Sequence, residues 1–297
     1  MYLAEIAALS AAALWALGSI LATSAVREIG SITFNRLRMV IVFVMLAIYV
    51  TWAGLWGGVQ QEHIWPLVLS AFVGIVFGDT ALYVTVRRLG PRRAAVLFAT
   101  NAPLAVFLTW FLFNEVLGFY ELLGTIILIF GVMLAIVFGK RKDQMHNWEK
   151  IQGRLIVGVC WGLAAAVGQA LGSIIVKPAL EAGADPVVSS AIRVGISAAS
   201  LTIICALPMA AVKPTGPLTR KNVALTAASG IIGMGFGMTA LMIALANGDV
   251  GVVSSLASTT PVILLPFLWI KTGECPAPGA WFGAALVAFG TALIFVF

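Results

Sequence analysis

Asp79 stands in a stretch that is otherwise fit for lipid, Gly74-Ile-Val-Phe-Gly-Asp-Thr-Ala-Leu82. It lies eight residues before Arg87, about 12 Å along a helix that rises about 1.5 Å per residue. In a hydrocarbon core about 30 Å thick that is near the midplane. An aspartate there costs about 2.5–3.5 kcal/mol on insertion scales, so it must face a cavity or a partner. Two chemistries fit it: an acid that binds a proton or a cation, or an acid held by Arg38, hydroxyls or helix ends as a packing element. Tyr83 follows at i+4, on the same helix face, where its ring could line a pocket or hold a cation. Arg38 and Arg193 lie several residues inside apolar runs. Each could clamp a carboxylate in bidentate fashion, or snorkel and pair with an acid.

Pro103 and Pro261 fall near the middle of apolar runs. Each removes a backbone donor and frees the carbonyl four residues back, Ala99 and Ala257. Asn101, Thr259 and Thr260 stand beside them and could satisfy what is freed. The expectation is a pair of broken or kinked helices at a central cavity. Trp15, Trp161, Asn101, Gln169 and Asn35 could line that cavity too, and Thr80 and Thr239, at matching positions, are weaker candidates. Glu115 and Glu274 sit at helix ends and read as tethers. The glycines at 74, 78, 230, 233, 235 and 237 read as faces for close helix approach.

The elements that position these residues follow from composition. The chain has 297 residues, 61% of them hydrophobic and 10% charged, with a mean hydropathy of +1.04. Soluble domains are about half apolar and a quarter charged. Apolar runs place helical spans at 3–26, 32–53, 65–86, 93–113 and 119–138, then 154–176, 187–211, 222–246, 250–270 and 279–297. The first run lacks a basic leader and carries Glu5, so it reads as a retained span rather than a secretory signal. Residues 1–138 form one unit, 139–153 a polar linker and 154–297 a second unit.

The two units repeat. Gly74–Leu82 returns as Gly233-Met-Gly-Phe-Gly-Met-Thr-Ala-Leu241, identical at six of nine positions, with Met238 where the first copy has Asp79. Ala16-Leu-Gly-Ser-Ile20 returns as Ala170-Leu-Gly-Ser-Ile174, and Arg38, Pro103, Gly124 and Gly131 align with Arg193, Pro261, Gly283 and Gly290. Five spans per unit is an odd number, so the second unit enters the membrane from the opposite side. The fold expected is an all-α integral membrane protein of ten transmembrane helices in two inverted five-helix repeats. All but Lys177 and Arg193 of the 18 Lys and Arg residues fall on one side of that arrangement, which places that side in the cytoplasm and both termini outside.

Much is excluded. The basic balance has a membrane-topology cause, so nucleic acid is not an expected partner. Three scattered cysteines give no disulfide framework, and His63 and His146 both read as loop residues, so neither a metal nor another cofactor is expected. An enzyme would need a nucleophile with a base or a ligand cluster, and the spans show neither. A purely structural subunit would need no intramembrane acid.

The order Ala81-Leu-Tyr, Leu-Gly-Pro, Asn101-Ala-Pro-Leu, Phe113-Asn-Glu, Gly124 and Gly131 resembles the EamA-type unit of the drug/metabolite transporter superfamily. Ala240-Leu, Thr260-Pro-Val, Gly273-Glu, Gly283 and Gly290 resemble it again, so the likeness covers nearly the whole chain. In overall character the chain is similar to YddG-type exporters of aromatic amino acids. The resemblance implies ten spans around a central cavity in the cell (inner) membrane. It also implies export of small metabolites, most naturally amino acids, by alternating access. The cavity expected from the residues comprises Trp15, Arg38, Asp79, Tyr83, Asn101, Trp161 and Arg193, with helix breaks at Pro103 and Pro261. Its partners are a small-molecule substrate, membrane lipid and, through Asp79, protons; the chain could act as a monomer or a homodimer. The alternative is a multidrug or lipophilic-cation exporter with Asp79 as the counter-charge.

Overall fold

The computed structural model describes residues 2–113, 118–138, 150–207, 213–248 and 250–296. Most of them are helical, and no strand occurs among them. The helices are α1 Leu3–Ile29, α2 Ser31–Trp52, α3 Gln61–Leu89, α4 Pro91–Phe98, α5 Asn101–Phe113 and α6 Phe119–Val137 in the first half. The second half has α7 Leu155–Glu181, α8 Pro186–Ala206, α9 Arg220–Asn247, α10 Val250–Ala257, α11 Thr260–Thr272 and α12 Pro278–Val296. Among the described residues six helices, α1, α2, α3, α7, α8 and α9, are long and apolar enough to cross a membrane, and shorter apolar helices accompany them. Most of the polar linker and Glu115 lie outside the described residues.

Local chemistry sets the boundaries. Gly30 and Gly90 take φ of 90° and 87°, a conformation costly for any side chain, and turn α1 into α2 and α3 into α4 with one intervening residue each. Asp185 caps α8, its carboxylate accepting from Val187 and Val188 N–H at 2.8 and 2.9 Å, with Pro186 at the first helical position. His63, expected in a loop, lies buried in the first turn of α3, where its Nδ1 accepts from the Gln60 N–H at 3.2 Å.

Of the two alternatives, broken or kinked, the helices at the prolines are broken. Each predicted span is two helices end to end. α4 stops at Phe98 and α5 restarts at Asn101; α10 stops at Ala257 and α11 restarts at Thr260. Pro103 and Pro261 therefore sit in first turns, where a missing N–H leaves no bond unmade. The carbonyls at the breaks are satisfied nearby. Asn101 Nδ2 donates to Phe98 O at 2.7 Å, and Thr260 Oγ1 donates to Ala257 O at 2.6 Å. Ser258 Oγ reaches across to Ala99 O at 3.4 Å, joining one break to the other.

The halves interlock. α1 packs against α9, α10 and α11 of the second half, and α7 packs against α3, α4 and α5 of the first. α2 lies on α8, and α6 on α12. Glycines set the closest approaches. A Cβ on Gly172 would lie 2.9 Å from Gly74 Cα, one on Gly168 would lie 2.8 Å from Gly78 Cα, and one on Gly18 would lie 3.1 Å from Gly233 Cα.

Candidate functional site

Both long helices leave the α-helical ladder just before the repeated stretch and rejoin it within that stretch. Ala71–Asp79 in α3 and Gly230–Phe236 in α9 are π-helical, at corresponding places in the two copies. Such widened turns expose backbone and re-aim side chains, and they concentrate at functional sites. In α3 the widened stretch ends on Asp79.

Asp79, Arg38 and Tyr83 form one buried cluster, none more than 7% exposed. Arg38 Nη2 donates to Asp79 Oδ2 at 2.5 Å and to Asn35 Oδ1 at 3.0 Å, while its Nη1 donates to the Tyr83 hydroxyl at 2.5 Å. Asn35 Nδ2 donates to Thr80 Oγ1 at 3.0 Å. The guanidinium carbon sits 4.5 Å from the centre of the Tyr83 ring, so the ring meets the same cation by face and by hydroxyl. Tyr83 is itself fixed by Phe34, ring centres 4.7 Å apart, and by Ser31 Oγ donating to its carbonyl at 3.0 Å. The planar fork of arginine suits this role, because one group reaches three acceptors at fixed angles.

The cluster forms one wall of a cavity between the halves. Trp15, Phe98, Gln169, Met234 and Met238 supply other walls. About 60 Å³ is open to the centre of a water molecule, room for a few waters. Trp15 and Phe98 meet edge to face, ring centres 6.2 Å apart. Most of the lining is apolar, with the ionic cluster at one edge.

Of the residues expected in the cavity, Trp15, Arg38, Asp79 and Tyr83 line it, and so does Gln169. Three do not. Asn101 is spent on the helix break. Trp161 lies at a second cavity of about 520 Å³, beside Arg87, Arg88 and Lys213. Arg193 is buried behind the wall, its Nη1 donating to the sulfurs of Met238 at 3.6 Å and Met242 at 3.2 Å. Phe98, Met234 and Met238 went unforeseen as lining. Met238 alone had a sequence signal, since it aligns with Asp79.

The profile of the EamA-like transporter family matches residues 2–137 and 156–296. One solved crystal structure superposes with a TM-score of 0.72 over 99% of this chain and 96% of its own, at 18% identity, a likeness of fold. No curated protein matches the chain.

Proposed function

The chain belongs to the EamA-like transporter family, and from that premise we propose that it exports a small zwitterionic metabolite, an amino acid with an apolar side chain, by alternating access. The family match supports a membrane transporter of small substrates. The observation that carries the finer reading is the cavity itself: apolar and aromatic walls, with a carboxylate, a guanidinium and a phenol at one edge. An α-ammonium and α-carboxylate need such an edge, and an aliphatic or aromatic side chain needs such walls.

In this reading ten spans form two inverted repeats in the inner membrane, with the basic loops in the cytoplasm. The paired helix breaks, bridged by Ser258 and Ala99, are where the halves rock. The cavity is small as it stands, so substrate entry requires that movement. Asp79 couples protons only when Arg38 lets go, because the guanidinium occupies Oδ2. The same clasp argues against the lipophilic-cation alternative. A cation could use the acid only by displacing an arginine already bonded to it.

Purified protein in proteoliposomes, offered labelled alanine, leucine, phenylalanine and tetraphenylphosphonium, tests this. Leucine or phenylalanine is expected to exchange across the membrane while tetraphenylphosphonium does not. Movement of the phosphonium alone establishes the cation exporter instead.

A further inference from the structure

The polar cluster of the first repeat has a counterpart in the second that lacks its acid. Arg38, Asn35, Thr80, Asp79 and Tyr83 align with Arg193, Ser190, Thr239, Met238 and Met242. The alignment is also geometric: Arg38 bonds Asp79 and Tyr83, and Arg193 bonds Met238 and Met242. A thioether is a weak acceptor and cannot neutralise a guanidinium. Every polar member of the second cluster is left short. Ser190 Oγ and Thr239 Oγ1 are buried and have no hydrogen-bond partner among the described residues, whereas their counterparts Asn35 and Thr80 bond each other; the Nε of Arg193, like that of Arg38, is also unbonded. Arg193 is 2% exposed and Ser190 is fully buried. Buried donors left unbonded are rare in folded proteins, and each asks for a partner.

Charge points the same way. Arg38 and Asp79 neutralise each other, which leaves Arg193 as a buried cation with no carboxylate bonded to it among the described residues. The Oδ2 of Asp79 belongs to Arg38. One monovalent anion would balance the group. Met238 connects the two places: it lines the cavity and its sulfur touches Arg193. Methionine is unbranched and polarizable, and it yields to a ligand more readily than other side chains of its size.

We propose that Arg193, Ser190 and Thr239 form a carboxylate site behind a methionine gate, and that the transported carboxylate enters it when Met238 swings aside. This rests on the transport reading above and narrows its substrate to compounds bearing a carboxylate. The substrate's ammonium and apolar side chain then stay in the cavity, between the neutralised Asp79–Arg38 pair and the aromatic walls.

The test is counterflow of labelled leucine in proteoliposomes, with inhibition by leucine and by 3-methylbutylamine, which is leucine without its carboxylate. Wild-type counterflow of leucine decides the transport reading; if none occurs, that reading and this site fall together. Given counterflow, Arg193→Met is expected to raise the leucine concentration for half-inhibition by about tenfold or more, the scale of losing one charge-assisted contact. The amine's value is expected to move less than about threefold. Equal losses for both compounds, or no loss, overturn the site. Met238→Asp is the second arm, because it supplies Arg193 with a resident carboxylate. It is expected to raise the unfolding temperature while abolishing leucine counterflow. A Met238→Asp protein that exchanges leucine like wild type overturns the site, whether or not Arg193→Met folds.

Discussion

A single substitution separates the two repeats chemically, and its consequences are local. Where Asp79 stands, an arginine is paired and a tyrosine anchored; where Met238 stands, an arginine donates to sulfur and, among the described residues, to no carboxylate. Removing one partner of a buried pair leaves an uncompensated charge and costs about 3–5 kcal/mol. Asp79→Asn is therefore expected to lower the unfolding temperature in detergent and to make substrate exchange insensitive to an imposed pH gradient. Arg38→Lys should fare nearly as badly, because a point charge cannot span Asp79, Asn35 and Tyr83 at once. Tyr83→Phe keeps the ring and loses one bond to a charged donor, about 1.5–3 kcal/mol, so a smaller fall in unfolding temperature is expected. Much of this was legible. Asp79 betrayed itself by depth, Tyr83 by its i+4 register, and Arg38 as the partner that a purely packing acid would need. Arg193 read as a cavity residue because, like Arg38, it lies several residues inside an apolar span. Depth does not report that methionines intervene.

At the scale of the element, the π-helical turns and the glycine contacts belong together. The π-helical turns of α3 and α9 lie at matching places, and the turn in α3 is where backbone meets the glycines of α7 too closely for a Cβ on Gly168 or Gly172. Gly168→Ala would drive a methyl to 2.8 Å from Gly78 Cα, and overpacking against backbone costs about 1–3 kcal/mol. Gly57→Ala meets nothing within 4 Å, so it should stay within about 0.5 kcal/mol of wild type. Thermal unfolding of the two variants side by side checks the contrast. The repeated Gly-rich stretch announced that these nine residues mattered. It could not announce a π-helix, because side-chain periodicity carries no mark of an i→i+5 bond. The helix breaks were half legible: proline named the place, but the choice between a kink and a fresh start depends on Asn101, Ser258 and Thr260 capping the gap.

Across the whole molecule, the sequence boundary and the packing boundary disagree. The family's unit matches residues 2–137 and again 156–296, yet α1 is embedded in the second half and α7 in the first. Either half alone would expose glycine faces made for a helix it does not own. Expressed singly, each half is expected to aggregate on size exclusion. Coexpressed as two pieces divided between 138 and 150, they are expected to copurify as one monodisperse complex. Composition and repeat predicted the helices and their doubling. The interlock was invisible, because it depends on which faces meet, and in a chain this apolar nearly every face looks fit for burial.

The central claim is that an amino acid occupies the cavity between Trp15, Tyr83 and Met238. Ser19 lines that cavity, and the chain has only three cysteines to replace. With Cys160, Cys205 and Cys275 exchanged for serine, Ser19→Cys would place one thiol beside the substrate. The decisive measurement is the rate at which a small maleimide labels it. Leucine is expected to slow labelling in a saturable way, while tetraphenylphosphonium leaves the rate unchanged. Protection by the phosphonium and none by leucine would contradict the claim.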